Sequence, residues 1–191
     1  MKKIIIMTGM PGAGKGTISE MLKSNPNIDH ISTGDLFRGL DKESDLGRRV
    51  AEIMNAGQMV GDDIVNEMVA PRLTGEKDLL LDGYPRSTAQ AEWLMERAAA
   101  GFEIVAILLA IDETIATARR DERVRNLRAK GLEPRADDAD PEILPKRFAE
   151  YREKTEPMLD LLRARLGDNF YTINNTGTAE QAVEKIAKII N

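Results

Sequence analysis

The chain has 191 residues, of which 42% are hydrophobic and 31% are charged, and its formal net charge at pH 7 is −5. This size suits one globular unit with a full-sized core and room for small inserted subdomains. An acidic chain argues against a general nucleic-acid binder, and the lack of cysteine excludes disulfides and thiolate metal sites. No apolar run approaches the roughly 20 residues of a membrane span, and residues 4–7 are too few for a signal peptide. We therefore expect a cytoplasmic protein without membrane partners.

Short apolar runs separated by helical patterns predict an α/β domain with a parallel sheet. Residues 4–7 form the first run, and a continuous apolar run is typical of a strand that is buried on both faces. Three further strands are predicted at residues 79–81, 104–109 and 170–173. Residues 28–32 are the weakest candidate for a fifth strand.

Helical patterns lie between these runs. Residues 16–23 suit a helix directly after the first strand. A second helix presents one apolar face, formed by Leu46, Val50, Ile53 and Met54, and Gly57 is placed to end it. The last helix begins at a capping box of Thr178 and Gln181 and carries an apolar stripe, formed by Val183, Ile186, Ile189 and Ile190.

A glycine-rich loop joins the first strand to the first helix. Residues 9–17 read Gly-Met-Pro-Gly-Ala-Gly-Lys-Gly-Thr and contain the G-x-x-x-x-G-K pattern of a phosphate-binding loop. Glycines allow successive backbone N–H groups to turn inward, and the helix N-terminus favours an anion. The predicted phosphate ligands are Gly12, Ala13, Gly14, Lys15, Gly16 and Thr17. Because Gly16 replaces the usual Ser or Thr after the lysine, magnesium is expected to depend more on phosphate oxygens and water.

Asp82 comes directly after the apolar run of residues 79–81. The carboxyl end of a buried strand is where a doubly wound sheet holds its ligands. A carboxylate there can hold Mg²⁺, directly or through water. We therefore predict Asp82 as the metal-binding residue, with a cap on the following turn as the alternative.

Six segments in a fixed order extend this interpretation over nearly the whole chain. They are residues 9–17, 31–38 (Ile-Ser-Thr-Gly-Asp-Leu-Phe-Arg), 57–60 (Gly-Gln-Met-Val), 81–86 (Leu-Asp-Gly-Tyr-Pro-Arg), 135–138 (Arg-Ala-Asp-Asp), and Arg147 with Tyr151. In these segments the chain resembles the adenylate kinases, which belong to the nucleoside monophosphate kinases.

The resemblance implies a P-loop NTPase-type α/β fold, in which helices cover both faces of a five-stranded parallel sheet. It divides the chain into a core (residues 1–31, 63–123 and 138–191), a helical NMP-binding insert (residues 32–62) and a short lid (residues 124–137). The short lid has no cysteine, so no zinc is expected. The expected partners are the nucleotides ATP, AMP and ADP. We also expect the protein to be a monomer.

The resemblance also implies the reaction, a reversible and Mg²⁺-dependent conversion of ATP and AMP into two ADP. Arg119 and Arg123, four residues apart on one helix face, match the pair over ATP, with Arg120 as the rival to Arg119. The residues implied in AMP binding are Thr33, Arg38, Met59, Val60, Gly83, Arg86, Gln90, Arg135 and Arg147. The residues implied in catalysis are Lys15, Arg86, Arg123, Arg135 and Arg147.

Three alternatives remain at this level. The nearest is a kinase for UMP, CMP or another monophosphate, against which Thr33 and Gln90 argue. A nucleotide-binding regulator without catalysis is disfavoured by the intact set of Lys15, Asp82 and arginines. A nucleic-acid binder that uses the basic lid is disfavoured by the net charge. The sequence does not decide whether GTP can replace ATP.

Overall fold

A computed structural model describes residues 1–74, 76–98 and 101–190. Within these residues five strands form one parallel sheet in the order β2-β3-β1-β4-β5. The strands are β1 (Lys2–Thr8), β2 (Ile28–Ser32), β3 (Asp78–Asp82), β4 (Phe102–Ala110) and β5 (Phe170–Asn174). The predicted five-stranded parallel sheet is confirmed, including its weakest candidate at residues 28–32.

Ten α-helices accompany the sheet in the described part of the chain. They are α1 (Lys15–Leu22), α2 (Thr33–Arg38), α3 (Asp45–Asn55), α4 (Asp62–Val69), α5 (Thr88–Ala98), α6 (Glu113–Ala129), α7 (Ala136–Ala139), α8 (Ile143–Glu150), α9 (Glu156–Leu166) and α10 (Ala179–Ile190). Short 3₁₀ turns occur at Ala70–Arg72 and Gly167–Asn169, and a π-helical turn at Tyr151–Thr155 joins α8 to α9.

The central strand explains the continuous apolar run at the start of the sequence. Ile4 and Ile6 pack into one core cluster together with residues of α5 and α9. Ile5 and Met7 pack into a second cluster, formed with residues of α1 and α10. Alternate side chains of a strand face opposite sides of its sheet, so a strand between two helical layers must be apolar at every position. The sheet is therefore the middle of three layers.

Three loops meet at the carboxyl edge of the sheet. Met7 of β1 and Ser32 of β2 both lie in register with Asp82 of β3. The phosphate-binding loop, the start of α2 and the segment after β3 consequently begin side by side. In open parallel sheets this edge is where ligands bind, close to the point at which the strand order reverses.

The predicted helix signals are confirmed. Gly57 follows α3 with φ +77°, a conformation that glycine adopts without strain. Thr178 and Gln181 form the reciprocal hydrogen bonds of a capping box before α10. Within the predicted apolar face of α3, Val50 is buried, but Leu46 lies in the first turn and remains 39% exposed.

The predicted insert and lid consist of parts of several elements. Residues 32–62 contain α2 and α3, and residues 124–137 contain the last turns of α6 and the first residues of α7. Helix α6 runs without interruption through residues 123 and 124, so the lid boundary remains a prediction. In the described ranges, none of the helices is long and apolar enough to cross a membrane.

Helix α8 begins close to a proline. Pro145 is the third residue of α8, where a backbone N–H would have no partner within the helix. The helical path then continues through the π-helical turn into α9. Helix α9 packs against β4. It therefore holds in place the residues of this continuous helical segment that face the carboxyl edge of the sheet.

Candidate active site

One cleft of about 680 Å³ lies at the carboxyl edge of the sheet. Most of the predicted site residues line it: Gly12, Ala13, Gly14, Lys15, Gly16, Thr17, Arg38, Met59, Asp82, Gly83, Arg86, Arg123, Arg135 and Arg147. Thr33, Val60, Gln90 and Arg119 are not among the described residues that line it. The structure thus brings together residues that lie as much as 135 positions apart in the sequence, from Gly12 to Arg147.

The phosphate-binding loop depends on glycine for two separate reasons. Gly9, Gly12 and Gly14 all have positive φ, and those of Gly12 and Gly14 are +84° and +87°. Gly12 also lies against helix α6, since a Cβ built on it would be 2.8 Å from the carbonyl oxygen of Ala116. A side chain at Gly12 would therefore meet both an unfavourable backbone conformation and the backbone of a neighbouring helix.

Replacing Gly12 by alanine is expected to lower the free energy of unfolding by about 2 kcal/mol or more, measured by urea denaturation. Gly131→Ala is the matched control, because Gly131 has φ +69° but a Cβ there would have nothing within 4 Å. The control should cost only the conformational penalty of about 1 kcal/mol. Equal losses in the two variants would contradict the contact with α6.

Lys15 lies over its own loop. Its Nζ donates to the carbonyl oxygens of Gly9 at 2.6 Å and Met10 at 3.1 Å. Burial lowers the pKa of the Lys15 ammonium to about 7; nearby Arg86 and Arg147 lower it too, while Asp82 opposes the shift. The phosphate-binding loop therefore holds a lysine whose positive charge would be stabilised by a bound phosphate.

This pKa predicts a pH dependence of stability. Below about pH 7 both folded and unfolded chains carry the protonated lysine, so its burial penalty is fully present. Between about pH 7 and the normal lysine value of 10.5, the folded protein binds fewer protons, and the penalty is progressively relieved. From pH 7 to pH 9 we expect the wild type to gain about 1–2 kcal/mol of unfolding free energy relative to Lys15→Met, by denaturation at each pH. A constant difference between the two proteins would contradict the lowered pKa.

The arginines of the cleft come from five different parts of the chain. They are Arg38, Arg86, Arg123, Arg135 and Arg147. Burial, together with the positive charge of nearby Arg147, lowers the pKa of Arg86 to about 10. Burial and the nearby Arg38 likewise lower the pKa of Arg135. Five guanidiniums around one space attract anions that carry several charges.

Two carboxylates neutralise part of this charge. Arg123 Nη2 lies 2.6 Å from Asp138 Oδ1, and Arg147 Nη1 lies 2.8 Å from Asp137 Oδ2. Asp138 also lies 3.6 Å from Arg147. The ion pairs make Asp137 and Asp138 direct partners of two cleft arginines.

Arg86 is held by a network of backbone groups. Its Nε donates to the Gly83 carbonyl at 2.7 Å, and the Thr33 hydroxyl donates to the same oxygen at 3.1 Å. The Arg86 N–H donates to Gln90 Oε1 at 2.8 Å, and the Thr155 hydroxyl of the π-helical turn donates to the Arg86 carbonyl at 2.9 Å. Thr33 and Gln90, which were predicted to contact a base, thus hold the Arg86 segment here. Their role towards a base remains a prediction.

Arg119 and Arg120 point in different directions. Arg119 Nη2 donates to the carbonyl oxygens of Asn175 at 2.7 Å and Gly177 at 3.1 Å. Arg120 is only 8% exposed, and its guanidinium points towards the Asp138 carbonyl. The loop after β5, which Arg119 contacts, was not predicted as part of the site, because its Asn-Asn-Thr-Gly sequence is that of an ordinary turn.

Asp82 lies close to the phosphate-binding loop. It is 8% exposed, and a Cβ built on Gly16 would be 3.8 Å from its Oδ2. His30, the only histidine in the sequence, places its Nε2 3.8 Å from the same oxygen. In the described residues no group of three His, Cys, Asp or Glu side chains could hold a metal ion. A single carboxylate nevertheless fits Mg²⁺, which usually takes one or two carboxylates together with water and substrate phosphates.

A strand, a glycine-rich loop with its lysine, and five arginines around one cleft define a P-loop α/β protein that binds phosphorylated ligands. The family model described as "Adenylate kinase" matches residues 7–166. The chain belongs to the adenylate kinase family, whose members are phosphotransferases.

Curated relatives agree with this assignment over almost the full length. The chain is 38% identical to adenylate kinases from Brucella melitensis biotype 1, Brucella ovis and Brucella suis biovar 1. Each alignment covers 97% of this chain and 97% of the relative.

Proposed function

We propose that the protein transfers the terminal phosphoryl group of ATP to AMP, reversibly, and forms two ADP. The observation that supports this most strongly is the shared cleft of Lys15 and five arginines from separate elements. One lysine-containing loop suffices to bind a nucleotide. Arginines on several sides of the same space suit the transfer of a phosphoryl group between two anionic oxygens.

In this proposal each nucleotide has its own set of residues. The loop of residues 12–17 binds the β- and γ-phosphates of ATP, while Arg38 and Arg86 bind the AMP phosphate. Arg123, Arg135 and Arg147 surround the phosphoryl group in transit and stabilise its charge. Arg119 contacts the donor nucleotide, and the segments around Met59, Val60, Thr33 and Gln90 contact the AMP base.

The chemical step needs no general base. An AMP phosphate oxygen, already ionised near neutral pH, forms the new bond to the γ-phosphorus, and the bond from that phosphorus to the β,γ-bridging oxygen breaks. The bridging oxygen stays on the first ADP as part of its terminal phosphate. Asp82 would hold Mg²⁺ through water, and the ion would neutralise charge on the donor phosphates.

The decisive experiment gives the purified protein only ADP and Mg²⁺ and follows the products by ³¹P NMR. Equal amounts of ATP and AMP are expected. A panel of AMP, UMP, CMP and GMP with ATP then tests the acceptor base. Phosphorylation of UMP or CMP without any reaction of ADP alone would replace the proposal with a pyrimidine monophosphate kinase.

A monomeric enzyme in the cytoplasm completes the proposal. The phosphate-binding loop and the five arginines of the cleft come from one chain, which supports a monomer. Light scattering on the purified protein would test the monomer.

A further inference from the structure

Asn175 contacts the phosphate-binding loop, the end of β4 and Arg119. It follows β5 and is only 3% exposed. Its side-chain Nδ2 donates to the carbonyl oxygen of Ala13 in the phosphate-binding loop at 2.7 Å, through a buried hydrogen bond. Its own backbone N–H donates to the Ala110 carbonyl at the end of β4 at 3.0 Å, and its carbonyl oxygen accepts from Arg119 Nη2 at 2.7 Å.

The bond to Ala13 determines the orientation of one peptide group. The Ala13 carbonyl and the Gly14 N–H belong to the same planar trans peptide, so they point in opposite directions. Gly14 has φ +87° and no side chain, so its own residue type does little to restrain this peptide. Fixing the carbonyl towards Asn175 therefore fixes the Gly14 N–H on the other side of the loop.

The fit between Asn175 and the loop is close. A Cβ built on Gly14 would be 3.3 Å from Asn175 Nδ2, which leaves room for the carboxamide but little more. Asn175 is itself held by the bond to Ala110, so its position is set by the sheet and not by the loop that it contacts. The same residue binds Arg119 through its carbonyl oxygen.

We propose that Asn175 is a positioning residue for the phosphate donor, holding both the Ala13–Gly14 peptide and Arg119 in the orientation that binds it. The inference rests on the proposed function only in taking the phosphate-binding loop as the donor site. Asn175 acts through the loop, and its effect falls on the donor rather than on AMP.

The test measures the binding of each ligand separately by isothermal titration calorimetry. Asn175→Ala removes the side-chain donor, and Asn175→Asp places an acceptor-only carboxylate against the Ala13 carbonyl. We expect the Kd of Mg-ATP and of inorganic triphosphate to rise about tenfold in Asn175→Ala and further in Asn175→Asp. The Kd of AMP should change less than about twofold, since the substitution weakens only the binding of the phosphate donor. Asn174→Ala is the matched control: the neighbouring amide side chain is exposed, and the Kd of Mg-ATP should not change.

A second measurement uses the wild-type protein and so does not depend on the folding of a variant. Inorganic triphosphate should shift the ¹H–¹⁵N signals of the Gly14 amide and the Asn175 carboxamide together, whereas AMP should leave both unchanged. Equal weakening of Mg-ATP and AMP in Asn175→Ala, or no weakening of either, would overturn the inference. Because triphosphate binding needs no acceptor nucleotide, the result stands apart from the ADP experiment. A wild type that binds triphosphate but does not convert ADP would refute only the proposed function.

Discussion

Replacing Arg86 by lysine is expected to lower kcat about 10³-fold, because Arg86 is proposed to orient the AMP phosphate whose oxygen attacks the γ-phosphorus. Lysine keeps the charge but loses the planar set of donors. It also loses the Nε bond to Gly83, which orients the guanidinium in the cleft. Steady-state kinetics in the direction of ADP formation should show the loss in kcat together with a raised KM for AMP.

The control for this variant is another arginine of the same region. Arg97 lies on α5 with its guanidinium 4.4 Å from the centre of the Trp93 ring and does not line the cleft. Arg97→Lys should leave kcat within about twofold of the wild type. A kcat for Arg86→Lys within about tenfold of the wild type would show that the charge alone suffices and would contradict a role for guanidinium geometry.

Replacing Lys15 by methionine should reduce kcat/KM for ATP about 10³-fold, measured at saturating AMP. Lys15 is the one charged residue of the phosphate-binding loop, and its ammonium donates to two backbone carbonyls of that loop. Methionine has a similar length and no charge. The space inside the loop therefore stays packed, while the donor phosphates lose a cationic partner.

A matched lysine lies at the end of the same helix. Lys23 follows α1, pairs with Glu20 at 3.3 Å, and its side chain is 56% exposed. Lys23→Met should leave kcat/KM unchanged, because an exposed ion pair of this kind contributes little. If both variants lost activity equally, the effect would belong to the stability of α1 and not to the charge in the cleft.

The strands could be predicted because their pattern reflects a simple physical constraint. Ile4 to Met7 are apolar at every position because helices cover both faces of β1. The end of α3 and the start of α10 could also be predicted. Gly57 and the Thr178–Gln181 pair satisfy the backbone requirements of these helix termini within a few residues. The exposure of Leu46 could not be predicted in this way, because periodicity shows which face a residue lies on and not how far the core extends along the helix.

The site could be predicted only in part, for a related reason. The phosphate-binding loop and Asp82 lie at positions that local sequence and strand order determine. Some partners of the cationic groups come from other segments: Arg119 donates to the Asn175 carbonyl, 56 positions away, and Arg123 donates to Asp138, 15 positions away. Asn175 could not have been foreseen, because its contact with Ala13 spans 162 positions and depends on the sheet order.

The ion pairs of Asp137 and Asp138 supply the cleft with counter-ions from the chain itself. An anion that binds Arg123 or Arg147 must displace one of these carboxylates, so at these arginines it gains only the difference between two interactions. Chloride or sulfate, with few contacts to offer, exchanges poorly, whereas a polyphosphate engages several guanidiniums at once. Discrimination against the abundant small anions around the protein then follows from residues that never touch the nucleotide.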